Sequence, residues 1–192
     1  MPLNRRLLLS IAALLPISKA SGQTFPPPVP DVPTSEIAKS KIAEKNADII
    51  RRQNDIQNGG DFHAAAEFFA EDTRNHGVAV GRKGVLRVLT DIFATFPDFH
   101  SEIFDVMAVD DMVVIRTINT GTHKGVSKIP FNGGLLVGVP PTNKKYKVQT
   151  IHWHTLKDGL IVEHRANRDD IGMMQQLGLL PMTTRYDLPK IS

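Results

Sequence analysis

The chain has no cysteine, one tryptophan and two tyrosines in 192 residues. Without thiols it can build neither a thiolate zinc site, nor an iron–sulfur centre, nor a disulfide scaffold. It has no apolar stretch long enough to cross a bilayer as a helix, since the longest run, Leu7 to Ile17, covers eleven positions. No Gly-x-Ser-x-Gly elbow, phosphate-cradling Gly-x-x-x-x-Gly-Lys-Ser/Thr loop or dinucleotide fingerprint occurs. What is present is ordinary for one soluble domain: 41% hydrophobic and 22% charged residues.

The formal charge of +3 and a pI near 9.2 suggest an anionic partner only until the charges are located. Arg5-Arg6, the Leu7–Ile17 run and the small-x-small site Ser18-Lys19-Ala20 have the layout of a secretory signal peptide over residues 1–20. A membrane anchor or a buried helix is the competing reading, and the Arg pair also fits a twin-arginine export signal. Cleavage after Ala20 removes Arg5, Arg6 and Lys19 and no acid. It leaves 20 basic against 20 acidic residues, a neutral chain directed to the periplasm or outside the cell, with no stable membrane insertion. Lys144-Lys145-Tyr146-Lys147 is the one remaining basic cluster and reads as a solvated strand start, so no nucleic-acid partner is expected.

Residues 21–33, with five prolines, read as an extended tether. A domain is expected over 34–182 and a tail over 183–192. Residues 34–57 have helical spacing, capped by Thr34 or Ser35, with Ala38, Ile42, Ile49, Ile50 and Ile56 as the buried stripe and Asn58-Gly59-Gly60 as the stop. Asp61 caps a second helix, patterned by Phe62, Ala65, Ala66 and Phe69. A third helix runs from about Lys83 to Thr95 and ends at Pro97. Beyond Pro97 the period becomes two, giving strands over 100–109, 112–122, 147–156 and 160–167 with turns at Asp110-Asp111 and Asp158-Gly159. The Gly- and Pro-rich residues 125–145 form a long connection of the kind that walls or covers pockets. Helices first and antiparallel strands afterwards define an α+β domain.

Polar chemistry is densest in the last hairpin. With Asp158-Gly159 as a two-residue turn and an unbroken ladder, His154 opposes Glu163 and His152 opposes Arg165. One face then carries Thr150, His152, His154, Glu163, Arg165, Asn167 and Asp169, and the other Ile151, Trp153, Val162 and His164. A one-residue shift would mix these sets. A histidine beside a carboxylate suits general acid/base chemistry, because imidazole titrates near neutral pH and burial raises a carboxyl. His152, His154 and Glu163 or Asp169 also form a two-histidine, one-carboxylate set, but a strand His-x-His pair is a weak metal signal, and no metal is expected.

These stretches, taken in order, resemble the SnoaL-like polyketide cyclase (ester cyclase) family of the NTF2-like fold. They are Asp72-x-x-x-His76 with Gly81 and Gly84, Phe96-Pro97-Asp98-Phe99, Gly121-Thr122-His123-Lys124-Gly125 and Pro141-Thr142. His154-x-x-x-Asp158-Gly159-x-Ile161-Val162-Glu163-His164 and Asp169-x-x-Gly172-x-x-x-Gln176-Leu177-Gly178 follow. The resemblance implies a cone of curved antiparallel sheet packed on three N-terminal helices around an enclosed pocket. It implies a homodimer or higher homo-oligomer. It also implies cofactor-free acid/base chemistry (aldol cyclisation, isomerisation or hydration) on a small apolar or aromatic carbonyl ligand. Asp169 becomes the expected base and His154 its partner. Asn75, His76, His123, His152, Trp153 and Arg165 become the expected substrate-binding residues. The alternative is a non-catalytic exported small-molecule-binding protein of the same fold. The chain departs from the family pattern at Asn143, at Arg165 and in the stretch 129–139.

Overall fold

The computed structural model describes residues 40–130 and 134–181. The expected signal peptide, tether, Thr34/Ser35 cap and C-terminal tail lie outside the described residues. Helix α1 spans Lys41–Asn58, with Ser40 as its cap, accepting from the Ala43 N–H at 3.1 Å. Its buried face is Ala43, Asn46, Ala47, Ile50, Gln53 and Asn54, while Ile42 is 54% exposed. The isoleucine stripe read from the sequence is therefore rotated. Buried amides, which hydrophobic periodicity does not count, fasten this helix. Asn46 donates to the Asp110 carbonyl, and Asn54 and Asn58 donate to the Ser101 carbonyl, each at 2.9 Å.

Helix α2 is only Phe62–Ala66, capped by Asp61. Phe69, expected to extend it, instead opens strand β1 (Phe69–Asn75), which turns into β2 (Val78–Ala79). Helix α3 covers Gly81–Thr95. Strands β3 (His100–Val109), β4 (Met112–Thr122), β5 (Lys145–Lys157) and β6 (Leu160–Arg168) follow, and helix α4 (Asp170–Gln176) closes the domain.

One six-stranded sheet runs β2-β1-β6-β5-β4-β3. It is mixed, not wholly antiparallel, because β1 lies parallel to β6. The sequence reading missed β1, which has too few alternating apolar residues to stand out.

Two apolar clusters hold the helices to the sheet. Ile50, Phe69, Val113, Ile115, Leu156 and Ile161 form one, and Phe96, Leu136, Tyr146, Val148, Met173 and Leu177 the other. Met173 and Leu177 bury α4 against the sheet. Gln176 adds an amide clamp to β5, accepting from the Lys147 N–H at 2.8 Å and donating to its carbonyl at 3.1 Å.

The long connection after β4 is tied to α3. The N–H groups of Lys124 and Gly125 both donate to the Thr95 carbonyl at 3.0 Å. Only glycine permits that approach, since a Cβ on Gly125 would lie 1.9 Å from the Ala94 carbonyl oxygen. Buried Asp91 on α3 accepts from the Ser127 hydroxyl at 2.7 Å and the Lys128 N–H at 2.9 Å. Leu135 and Leu136 of the same connection reach the interior space described next, so the connection forms part of its wall.

Candidate active site

The inner face of the sheet and helices α1 and α3 bound a largely apolar cavity of about 150 Å³. Its polar edge is built by the β5–β6 hairpin. Asp158 and Gly159 turn with φ of 52° and 80°, as a type I′ turn requires. The first pair, Lys157 with Leu160, has the expected register. Between Thr155 and Leu156 the ladder slips by one residue, so that His154 opposes His164, His152 opposes Ala166 and Trp153 opposes Arg165. A bulge of one residue turns every later side chain on one strand to the opposite face. The face expected to hold Glu163, Arg165, Asn167 and Asp169 therefore holds His164, Ala166 and Arg168 beside His152 and His154.

The consequences for the expected residues are direct. His152, His154 and Asn75 line the cavity. Trp153, 47% exposed, and Arg165 stand on the outer face, where Arg165 donates to Glu163. His76 sits exposed in the β1–β2 turn at φ 50°, its Nε2 accepting from the Ala166 N–H. His123 is wholly buried but lies outside the cavity wall. It packs on Phe96 at 5.6 Å between ring centres, and its Nδ1 accepts from the Thr142 N–H. Burial holds the pKa of His123 below the ordinary histidine value.

Asp169 caps α4, accepting from the Gly172 N–H at 2.9 Å, and is not among the residues lining the cavity. Its own N–H pairs with the Gln149 carbonyl, five residues along β5 from His154. That separation is roughly 17 Å along the strand.

The cavity holds a polar chain that the sequence reading did not assemble. His164 Nδ1 donates to Asn75 Oδ1 at 3.1 Å. His164 Nε2 lies 3.1 Å from His152 Nδ1, and His152 Nε2 lies 3.3 Å from the Thr117 hydroxyl. Thr117 donates to Asn119 Oδ1 at 3.0 Å, and Asn119 donates to the Thr150 hydroxyl at 3.0 Å. His154 stacks close to both other rings, with centres 5.0 Å from His164 and 6.0 Å from His152. It is 3% exposed, and its Nδ1 has no hydrogen-bond partner among the described residues.

Burial pushes all three histidines down; His164 adds repulsion at His152 and His154, His152 adds it at His154, and His76 adds it at His164. His152 falls to about 3, with further repulsion from Arg168, His164 falls to about 4, and His154 lies well below the ordinary value. All three are neutral at pH 7. Arg168, whose side chain is only 9% exposed, brings a cation to the same wall and pairs with Asp170 at 2.6 Å. The sequence held signals for His164 and Arg168, a third histidine and an arginine in one strand, but the unbroken ladder put His164 on the wrong face.

Fold and site together define a helix-backed cone-type α+β domain with a histidine-edged apolar cavity. The sequence profile of the SnoaL-like polyketide cyclase family matches residues 47–177, and the chain belongs to that family. The chain is 28% identical over 108 residues to the nogalonic acid methyl ester cyclase of Streptomyces nogalater, covering 55% of this chain and 73% of that one. Among solved structures it is similar to IdmH of Streptomyces antibioticus, at 30% identity and TM-score 0.57, covering 69% of this chain and 98% of the other. A SnoaL-like polyketide cyclase of Agrobacterium tumefaciens, at 19% identity and TM-score 0.58 with 69% and 98% coverage, shares the fold.

Proposed function

We propose that the protein is an exported cyclase or isomerase that moves a proton at a carbon next to a carbonyl in a small, largely apolar compound. Three neutral histidines edging an apolar cavity carry this reading. A space of about 150 Å³ matches a ligand of roughly one ring. A neutral imidazole N–H donates a hydrogen bond to a developing enolate oxygen without a charge having to be buried. His154, with a partnerless Nδ1, is the ring placed to do so, and Arg168 adds positive potential on the same side. Apolar walls hold the substrate's carbonyl arms in one conformation and exclude water, which supplies much of the rate of an intramolecular closure.

The base is assigned to the histidine chain. Among the described residues lining the cavity the one carboxylate, Asp91, is held by Ser127 and Lys128, and Asp169 caps a helix. Export is supported by residues 1–20. Self-association is supported by the outer sheet face, where Phe104, Ile151 and Trp153 are 52%, 43% and 47% exposed. The held carboxylate also suits the alternative reading, a binding protein that retains its ligand without turnover.

The test is α-proton exchange into deuterium oxide, followed by NMR on a panel of one-ring ketones and diketones. His154→Gln is expected to slow exchange about 100-fold. Asp169→Asn, which keeps a capping oxygen, is expected to leave it within about three-fold. A 100-fold loss in Asp169→Asn alone would make that carboxylate the base. No exchange with any compound, together with tight ligand retention, would establish the binding reading.

A further inference from the structure

Hydrogen-bond accounting around the three rings leaves one position unexplained. The Asn75 carbonyl oxygen fixes the proton of His164 on Nδ1, so Nε2 of that neutral ring presents a lone pair. The Thr117 hydroxyl is committed as a donor to Asn119 Oδ1, and its oxygen is left to accept from His152 Nε2. His152 Nδ1 then also presents a lone pair. These two nitrogens face each other at 3.1 Å, an arrangement that repels unless a cation lies between them. The buried Nδ1 of His154 has no partner beside them, and one ring nitrogen from each of the three histidines falls within 4.8 Å of the others.

We propose that His152, His154 and His164 form a binding site for a divalent transition-metal ion of the zinc class, open on its fourth side to the cavity. Zinc–imidazole bonds of about 2.0–2.1 Å in a tetrahedron separate the nitrogens by about 3.3 Å. The His152–His164 pair already has that spacing, and rotation of the His154 ring about its soft second torsion brings the third nitrogen in. The outer partners are already in place. Asn75 sits behind His164 and Thr117 behind His152, each accepting the N–H that points away from the ion, as metal-bound histidines require. The open position faces the apolar space, where an ion would polarise a carbonyl oxygen. This departs from the metal-free expectation raised by the sequence. It also replaces the carboxylate considered there with a third histidine delivered by the β-bulge.

The same three rings serve the reaction proposed above; with an ion bound, the metal and not the His154 N–H polarises the carbonyl oxygen. Turnover by chelator-treated protein reports on that reaction separately. The experiment is titration of chelator-treated protein with Co²⁺, followed by its visible absorption, and with Zn²⁺ by calorimetry. One ion per chain with a tetrahedral cobalt spectrum is expected. His152→Gln and His164→Gln should weaken binding by more than about 100-fold, and Asn75→Ala, which removes no ligand, by roughly 10–100-fold. His100→Ala, an exposed histidine outside the cluster, should leave binding unchanged. Circular dichroism checks that each variant is folded, and Asn75→Ala serves if a histidine variant is not. Failure to bind one ion, or binding that folded cluster variants retain, overturns the proposal. So does ¹⁵N NMR of the metal-free protein showing the proton on His152 Nδ1 together with no ion uptake, because an ordinary hydrogen bond then fills the gap.

Discussion

Acidification probes the cavity without altering a residue. His152 and His164 have folded values of about 3 and about 4, against 6.5 when unfolded. A pKa lowered by folding means that the unfolded chain binds more protons between those values, so stability is full above about pH 6.5 and falls as the pH drops. In chelator-treated protein taken from about pH 7.5 to about pH 5, each of the two rings costs about 2 kcal/mol, and together about 4 kcal/mol. His154 and His123 shift in the same direction and add to the loss. Ordinary carboxylates scarcely titrate in this window, so the effect belongs to the histidines. For a domain stable by 5–15 kcal/mol this is a large fraction. The assay is urea unfolding at several pH values, followed by the fluorescence of Trp153. A slope approaching two protons or more is expected below about pH 6, and His164→Gln should remove about one proton from it. If stability at about pH 5 is within about 1 kcal/mol of that at about pH 7.5, the rings are hydrated or already charged, and both the cavity and the chemistry built on neutral imidazoles are refuted.

Gly125→Ala forces a methyl group into the Ala94 carbonyl and should cost about 1–3 kcal/mol, measured as a fall in thermal midpoint with the far-ultraviolet spectrum retained. Asp91→Ala strands the Lys128 N–H and leaves the Ser127 hydroxyl only the Ile129 carbonyl, 3.2 Å away, costing about 1–3 kcal/mol. Hydrogen exchange should then rise at Ser127 and Lys128 first. Trp153→Asp places a charge on the outer sheet face and should convert an oligomer to monomer in light scattering, whereas an unchanged mass would remove that face as the contact surface.

Particular residues show what sequence reasoning reaches. The β3, β4 and β5–β6 segments and α3 are found within a few residues of their expected limits, because alternation, helical spacing and the breakers Pro97 and Asp158-Gly159 are local signals. The stripe of α1 is misjudged because Asn46 and Asn54 are buried by bonds to carbonyls 64 and 47 residues away. Of the cavity residues, His152, His154 and Asn75 are legible as polar groups near apolar strands, whereas His164 and Arg168 are not. Nothing in their neighbourhood announces that the ladder slips between Thr155 and Leu156.

The sequence by itself determined the α+β order of elements, the two-residue hairpin turn and the family. Each of these rests on composition or on patterns a few residues long. The tertiary structure alone decided which side chains share the cavity. A strand alternates with a period of two, so one extra residue exchanges its faces. Whether the bulge forms depends on how β4, β1 and the helices pack against the hairpin. That packing replaced an expected histidine–carboxylate pair with three mutually facing histidines.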